Sequence, residues 1–248
     1  MFAGEVGTPA AFLGVMPTQS LRRTTPDPVW FDCEFPRLPD DCEFDQILPR
    51  RLREYSAFHW TTVEVCRHAA TWLVSGPETR VLDVGCGPGK FCAIGAFATA
   101  GHFTGVEQRK RLCRTAWDML EHYCIPRVRI LHANVMEMSF GGFDAFYLFN
   151  PFEENLAPEF KIDDEVPVEI QYYGLYIDYV RRQLSQLRLG TRVVTFWGSC
   201  HEIPPCYDCE ETAFDGKLRL WMKRRDLPVE QSSFAEALKG DAAIFSII

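Results

Sequence analysis

The chain has 248 residues, of which 47% are hydrophobic and 24% are charged. This composition is typical of compact proteins and excludes a collagen-like or mainly disordered chain. A chain of this length can bury about 70 to 75% of its unfolded surface, so its core needs neither disulfides nor a structural metal. With 34 acidic and 26 basic residues the net charge is −8, which disfavours nucleic acid and anionic membranes as partners.

The apolar segments of the chain indicate no membrane span, since all are shorter than the roughly 20 residues that a membrane helix needs. The apolar run at residues 10–16 has no basic segment before it, so it does not resemble a signal peptide. We therefore expect a cytoplasmic protein. That compartment favours reduced thiols for the ten cysteines.

One group of cysteines has the spacing of metal ligands. Cys200 and His201 are followed by Cys206 and Cys209, which form a C-x-x-C pair. Four such ligands can surround a zinc ion, but the strong zinc pattern has two well-spaced pairs. We predict no metal and keep zinc at this cluster as the alternative.

The beginning of the chain differs in composition from the rest. Residues 1–50 contain seven prolines and no sustained hydrophobic periodicity, which predicts an extended proline-rich arm. One domain should follow at residues 51–248. Its first helix should begin at Thr61, whose hydroxyl would form a capping box with Glu64, while Trp60 and Val65 form a hydrophobic staple.

The domain alternates strand-like and helix-like segments, which predicts right-handed crossovers and a parallel sheet with helices on both faces. Two further strand-like runs, joined through Asp215 and Gly216, predict a C-terminal antiparallel hairpin. The predicted strands are 80–84, 102–107, 128–132, 143–149, 191–197, 207–214 and 217–224, and the later helices are 90–100, 110–123 and a segment within 166–189.

A glycine-rich loop follows the first predicted strand and leads into a helix. Small residues let the backbone approach a ligand closely there, and the helix N-terminus presents free N–H groups. A dinucleotide fingerprint requires a third glycine at position 90, which is Lys90, so the pattern is G-x-G-x-G. The loop reads Asp83-Val84-Gly85-Cys86-Gly87-Pro88-Gly89.

The next two strand ends carry residues suited to a nucleoside. Glu107 ends the second strand, where a carboxylate can accept hydrogen bonds from ribose hydroxyls. Asn134 follows the third strand and can donate to and accept from a base edge, beside the apolar Val135. Three consecutive strand ends therefore predict a nucleoside site.

Residues 81–89 resemble motif I of the class I S-adenosylmethionine-dependent methyltransferases, and the resemblance extends over residues 60–224. It implies an α/β, Rossmann-like three-layer sandwich with a seven-stranded sheet of order 3-2-1-4-5-7-6. It also implies S-adenosyl-L-methionine as cofactor, with Gly85 and Gly87 lining its methionine portion, Asp83 supporting the loop, Glu107 binding ribose and Asn134 contacting adenine. The cofactor-binding residues implied are Asp83, Gly85, Cys86, Gly87, Gly89, Glu107, Gln108, Asn134, Val135 and Asn150.

The end of the fourth strand resembles the Asn-Pro-Pro-Tyr/Phe motif of amino-methyltransferases, with one proline missing. The resemblance implies that Asn150, Pro151 and Phe152 are catalytic: Asn150 and the Pro151 carbonyl orient an attacking nitrogen, and the Phe152 ring packs on the acceptor. The following Glu153 and Glu154 either attract a cationic acceptor or belong to an exposed loop.

The expected activity is therefore methyl transfer to a nitrogen of a protein side chain or small molecule, with nucleic acid an unlikely acceptor. The alternatives are a non-catalytic S-adenosylmethionine or nucleotide-binding module and an rRNA or DNA base methyltransferase. Lys90 also resembles the G-x-G-x-G-K form of the non-SET histone-lysine methyltransferases, whose basic DNA-contacting extension has no counterpart in this acidic chain. The oligomeric state stays open.

Three other segments have simpler interpretations. Residues 55–61 precede the first helix, where a lid over the cofactor is expected to lie, with His59 as one candidate lining residue. The basic residues at 109–111, with Arg114, are most simply the solvated face of a helix. Residues 196–198 end the fifth strand and are placed to wall the acceptor pocket.

Overall fold

The structure is a computed structural model that describes residues 38–227. The predicted arm over 1–37 and the apolar run at 10–16 lie outside the described residues. Within residues 38–227 the structure has no helix with the length and hydrophobicity of a bilayer-spanning segment. The helices are α1 (Asp41–Ile47), α2 (Arg50–Arg53), α3 (Ser56–His59), α4 (Val63–Leu73), α5 (Lys90–Ala98), α6 (Lys110–His122) and α7 (Ile170–Ser185).

Seven strands form one sheet of order β3-β2-β1-β4-β5-β7-β6. The first five are parallel, with α5, α6 and α7 in three of the crossovers and two short 3-10 turns between β3 and β4, whereas β7 pairs antiparallel with both β5 and β6. This confirms the predicted fold class, strand order and hairpin. The strands are β1 (Arg80–Val84), β2 (His102–Glu107), β3 (Val128–His132), β4 (Ala145–Phe149), β5 (Arg192–Phe196), β6 (Tyr207–Ala213) and β7 (Leu218–Lys223).

The core lies on both faces of the sheet, as expected for parallel strands buried between helices. Alternate residues of β1 divide between the two layers: Val81 joins the cluster formed with α4, α5 and α6, and Leu82 joins the cluster formed with α7. Burial of the two layers fixes the register of the strands and aligns their carboxyl ends at one edge.

The structure differs from the predicted extended arm over residues 41–50, which are largely helical. Residues 41–53 form α1 and α2, and Phe44, Leu48 and Leu52 are each no more than 2% exposed. A capping box between Asp40 and Glu43 begins α1. The predicted boundary at residue 50 therefore falls inside a packed region, because the apolar residues of α1 and α2 are buried in the core.

The predicted capping box of α4 is also wrong. The Thr61 hydroxyl hydrogen-bonds the Tyr147 hydroxyl at 2.7 Å, and Thr62 precedes the helix without a side-chain cap. The Val63 N–H instead donates to Asp41 Oδ1 at 2.9 Å. The same oxygen accepts from the buried Lys90 Nζ at 2.7 Å, so Asp41 joins α1 to both α4 and α5.

Candidate functional site

A cavity of about 400 Å³ opens at the carboxyl ends of β1, β2, β3 and β4. In open α/β sheets this edge is where ligands bind, and the volume lies within the usual range of about 300 to 1,000 Å³ for small-molecule sites. The cavity brings together residues from four strand ends that are far apart in sequence. The predicted site residues that line it are Gly85, Gly87, Glu107, Gln108, Asn134, Val135, Asn150, Pro151 and Phe152.

The glycine loop is held on the neighbouring strand by its own backbone. The N–H groups of Gly85 and Cys86 both donate to the carbonyl of Val106, at 2.9 and 3.0 Å. Gly87 has a φ of +54°, and a Cβ there would lie 2.7 Å from the Trp60 ring. Only glycine fits this left-handed position without strain, so the backbone of the loop packs closely against the Trp60 ring at the cavity lining.

Glu107 is anchored at the end of β2 by backbone N–H groups. Its Oε2 accepts from the Gly87 N–H at 3.1 Å, and its Oε1 accepts from the Arg109 N–H at 2.8 Å. The residue is 5% exposed and lines the cavity. Burial raises the pKa of Glu107, against the lowering effect of the hydrogen bond from Arg109. Each oxygen keeps a lone pair that can accept a hydroxyl of a ligand.

Tyr176 of α7, one of four helix tyrosines that the sequence places partly in the core and partly near the substrate mouth, connects two predicted residues. Its hydroxyl donates to Gln108 Oε1 at 3.2 Å and accepts from Asn134 Nδ2 at 3.0 Å. Asn134 Oδ1 in turn accepts the Met136 N–H at 3.0 Å. The side chain of Asn134 is thus fixed in place with one N–H left for a ligand, and the Tyr176 ring stacks on Phe152 with centroids 4.8 Å apart.

Three predicted cofactor residues lie off the cavity lining, namely Asp83, Cys86 and Gly89. Burial raises the pKa of Asp83 to about 8, and its Oδ2 accepts from the Cys92 thiol at 3.5 Å. Cys86 packs against Gly105, while Gly89 precedes α5 in the left-handed conformation. These three residues lie behind the lining of the cavity, and Asp83 is placed to support the loop, as expected.

Asn150 is held between two loops at the end of the cavity that follows β4. Its backbone has a φ of +40°, a strained conformation of the kind found at functional sites. Its Oδ1 approaches Gly198, where a Cβ would lie only 2.0 Å away. Pro151 contacts the other side of the site, because a Cβ at Gly85 would lie 2.9 Å from the Pro151 Cβ. The predicted catalytic segment thus touches both the glycine loop and the loop after β5.

Solved structures match this architecture at low sequence identity. TrmN from Thermus thermophilus is 17% identical over 70% of this chain, which spans about half of that protein (51%), with a TM-score of 0.50. An RNA methyltransferase from Salinibacter ruber, solved with S-adenosyl-L-homocysteine, is 15% identical over 68% of this chain and 96% of its own, with a TM-score of 0.49. The chain has the fold of the class I methyltransferases. No protein-family model and no curated protein matches the sequence.

The cavity of this class I methyltransferase fold suits the cofactor that the motif implies. The backbone of Gly87 and the anchored carboxylate of Glu107 lie on the same lining, as a ligand with both a nucleoside and an amino-acid portion requires. The apolar Val135 and the amide of Asn134 lie on that lining too. The residues present therefore fit S-adenosyl-L-methionine in shape and in donor set.

Arg109 is not the solvent-exposed residue that the sequence predicted. It is 6% exposed, its Nη2 pairs with Glu154, and its Nε donates to Asp163 Oδ1 at 3.1 Å. Burial lowers the pKa of Arg109, but the nearby carboxylates, Glu154 first, outweigh burial and raise it. Glu154, whose side chain is 18% exposed, therefore belongs to a partly buried ion pair rather than to an exposed loop. Arg109 directly follows Glu107 and Gln108, so its ion pairs join the end of β2 to the segment after β4.

Residues of the predicted lid line the cavity. Phe58, His59 and Trp60 all contribute to its lining. The Nδ1 of His59 lies 3.9 Å from Glu154 Oε1. Burial lowers the pKa of His59, whereas the charge of Glu154 raises it. The α3 helix and the residue after it thus cover the same cavity that the glycine loop forms.

The four candidate zinc ligands differ in their surroundings. Cys200 Sγ accepts from Arg219 at 3.3 Å, His201 Nδ1 lies 3.3 Å from the Tyr173 hydroxyl, Cys206 is buried and Cys209 is exposed. In the described part of the chain no group of three or more histidine, cysteine, aspartate or glutamate side chains is arranged to hold a metal.

Proposed function

We propose that the protein is an S-adenosylmethionine-dependent methyltransferase whose acceptor is a nitrogen of a protein side chain or a small amine. The observation that carries this proposal is the shared cavity: the glycine loop, Glu107 and the segment from Asn150 to Phe152 line one space. A cofactor held by the glycine loop and Glu107 would be in the same cavity as the segment from Asn150 to Phe152, as both binding and methyl transfer require.

The chain's own residues would hold the cofactor at four places. The backbone at Gly85 and Gly87 would receive the methionine portion, Glu107 the ribose hydroxyls, and Asn134 with Val135 the adenine. When bound, S-adenosyl-L-methionine supplies an electrophilic methyl group on a sulfonium, and a neutral thioether is the leaving group. No metal is needed for a displacement of this kind, because alignment of the nucleophile supplies much of the rate.

Asn150 would orient the nucleophile. Its Oδ1 and the Pro151 carbonyl accept N–H groups of the acceptor, which turns the nitrogen lone pair toward the methyl group. The acceptor must lose one proton in the reaction, either to water or to a carboxylate near the mouth. Glu153 lines the cavity next to this segment and also favours a cationic acceptor by its charge.

A base N-methyltransferase is the second candidate, because Asn150-Pro151-Phe152 suits the amino group of a nucleobase as well as an alkylamine. The third candidate is a binding module that holds S-adenosylmethionine or a nucleotide without transfer. We would measure cofactor binding by calorimetry with S-adenosylmethionine and NAD. Binding of NAD without binding of S-adenosylmethionine would overturn the proposal.

The acceptor class is tested by incubation of the protein with methyl-labelled S-adenosylmethionine and a lysate, followed by fractionation by size. Label in protein or in small amines supports the proposed acceptor. Label in RNA or DNA supports the second candidate. Cofactor binding with no label in any fraction favours the binding module.

A further inference from the structure

Two phenylalanines are exposed at the mouth of the cavity. Phe58 of α3 is 76% exposed and Phe160 of the segment after β4 is 64% exposed, and both line the cavity. Leu156, beside the lining residue Ala157, is 43% exposed. Apolar residues grouped around one opening mark interaction sites more often than single exposed ones do.

The same mouth is strongly acidic. Residues 153–169 contain seven acidic residues and one lysine, a net charge of −6 in a chain whose net charge is −8. Some of these carboxylates are neutralised within the fold: Glu154 pairs with Arg109, Asp163 with Arg109 and Arg111, and Asp164 with Lys161.

Two exposed carboxylates of this segment lie beside the phenylalanines without a cation. Among residues 38–227, Glu153 and Glu159 form no ion pair, and both are exposed. Glu153 lines the cavity itself, and Glu159 directly precedes Phe160. We define the mouth surface as Phe58, Glu153, Leu156, Glu159 and Phe160.

We propose that the mouth surface docks a basic polypeptide segment with apolar side chains, which presents its accepting nitrogen to Asn150. This inference rests on the proposed function and narrows its acceptor from any amine to a protein. Lysine or arginine side chains of the partner face Glu153 and Glu159, and its apolar side chains pack on Phe58 and Phe160.

The other acceptor classes fit this surface less well. A small amine would be enclosed by the cavity and would leave Phe58 and Phe160 uncovered, since ligands of that size are mostly buried in their pockets. A nucleic acid would bring its phosphates to the acidic segment, where they are repelled and gain no counterion release. A basic polypeptide with apolar side chains can cover the exposed phenylalanines and pair with the exposed carboxylates of the mouth surface.

The test is binding of three short fluorescein-labelled probes, measured by fluorescence anisotropy at low and high salt. The probes are a peptide of Lys-Phe-Gly repeats, a matched peptide of Glu-Phe-Gly repeats and a single-stranded oligonucleotide. We expect the lysine peptide to bind, with weaker binding at high salt, and the other two to bind at least about ten-fold more weakly.

The variants Phe58→Ser, Phe160→Ser and Glu153→Gln with Glu159→Gln should each weaken lysine-peptide binding by about five- to ten-fold, as expected for individual interface contacts. Leu189→Ser and Glu78→Gln are the matched controls, because both residues are exposed and adjoin the amino-terminal ends of strands, at the opposite edge of the sheet. The controls should bind the peptide as the parent does.

Preferential binding of the oligonucleotide, absence of lysine-peptide binding, or binding that the mouth variants leave unchanged would each overturn the docking surface. Calorimetry of the parent with S-adenosylmethionine separates this failure from that of the proposed function. A protein that binds the cofactor but not the lysine peptide keeps the proposed function and loses the docking surface.

Discussion

At the scale of single residues, the absence of a side chain at Gly198 leaves space for the side chain of Asn150. A Cβ at position 198 would lie 2.0 Å from Asn150 Oδ1, and Gly198 has a φ of +81°. We expect Gly198→Ala to displace the Asn150 side chain and to lower methyl transfer by about ten-fold, as Asn150→Ala should, which corresponds to about 1.4 kcal/mol in the barrier.

The measurement is the rate at saturating cofactor together with the affinity for S-adenosylmethionine. Both variants should bind the cofactor almost as the parent does, because the glycine loop and Glu107 are unchanged. An unchanged rate in Gly198→Ala, or a loss of cofactor affinity in Asn150→Ala, would contradict the role given to Asn150.

Glu107 should serve cofactor binding instead. Glu107→Ala removes a buried carboxylate that would accept two ribose hydroxyls, and hydrogen bonds to a charged group contribute about 1.5 to 3 kcal/mol. Calorimetry should therefore show a clear loss of S-adenosylmethionine affinity. Glu137→Ala is the control, since Glu137 is exposed and lies off the cavity lining. Normal cofactor affinity in a folded Glu107→Ala protein would show that the nucleoside lies elsewhere.

At the scale of elements, Arg109 connects α6 to the segment after β4. The Arg109 side chain is 8% exposed, and its removal leaves Glu154 and Asp163 close together without a shared cation. Breaking a buried pair costs about 3 to 5 kcal/mol, so Arg109→Gln should lower the free energy of unfolding by about 3 kcal/mol and weaken cofactor binding.

Arg111→Gln is the matched control for this prediction. Arg111 also pairs with Asp163, but its side chain is 37% exposed, so its loss should cost about 1 kcal/mol or less. Denaturant unfolding gives both free energies. Equal values for the two variants would show that Arg109 is not the residue that holds the segment.

The elements themselves follow closely from local patterns in the sequence. β1, β2 and β3 have the predicted bounds, because runs of apolar residues and flanking turn residues specify buried strands without reference to the rest of the chain. The hairpin was predictable for the same reason. The position of the candidate site was also predictable, since parallel strands place their carboxyl ends at one edge.

What the sequence did not predict depends on partners far away along the chain. Asp41 caps α4 and pairs with Lys90, which is 49 residues later. Arg109 is buried by carboxylates 45 and 54 residues away. Composition and periodicity describe neighbours in sequence, so a proline-rich stretch and a basic cluster gave the wrong interpretation at both places.

At the scale of the whole molecule, the buried Asp83 makes stability depend on pH. The pKa of Asp83 rises from 3.8 to about 8 on burial, so the folded protein keeps a proton that the unfolded chain loses between these values. The stabilisation is complete below about pH 4 and is lost as the pH rises through about 8, so the free energy of unfolding decreases over this window.

Asp83→Asn replaces the carboxyl group by a side chain that does not titrate. We expect its free energy of unfolding to decrease less between about pH 4 and pH 8 than that of the parent, as measured by denaturant unfolding at several pH values. Parallel pH profiles for the two proteins would show that Asp83 is ionised in the folded state.

The contact between Asn150 and Gly198 also has an evolutionary consequence. The two positions lie on loops after adjacent strands. The Asn150 amide occupies the space that a Cβ at position 198 would need. In a set of homologous sequences, a side chain at position 198 should therefore occur only where position 150 has a smaller residue or has lost the amide. In homologues that have lost methyl transfer, we therefore expect substitutions at position 198 as well as at position 150.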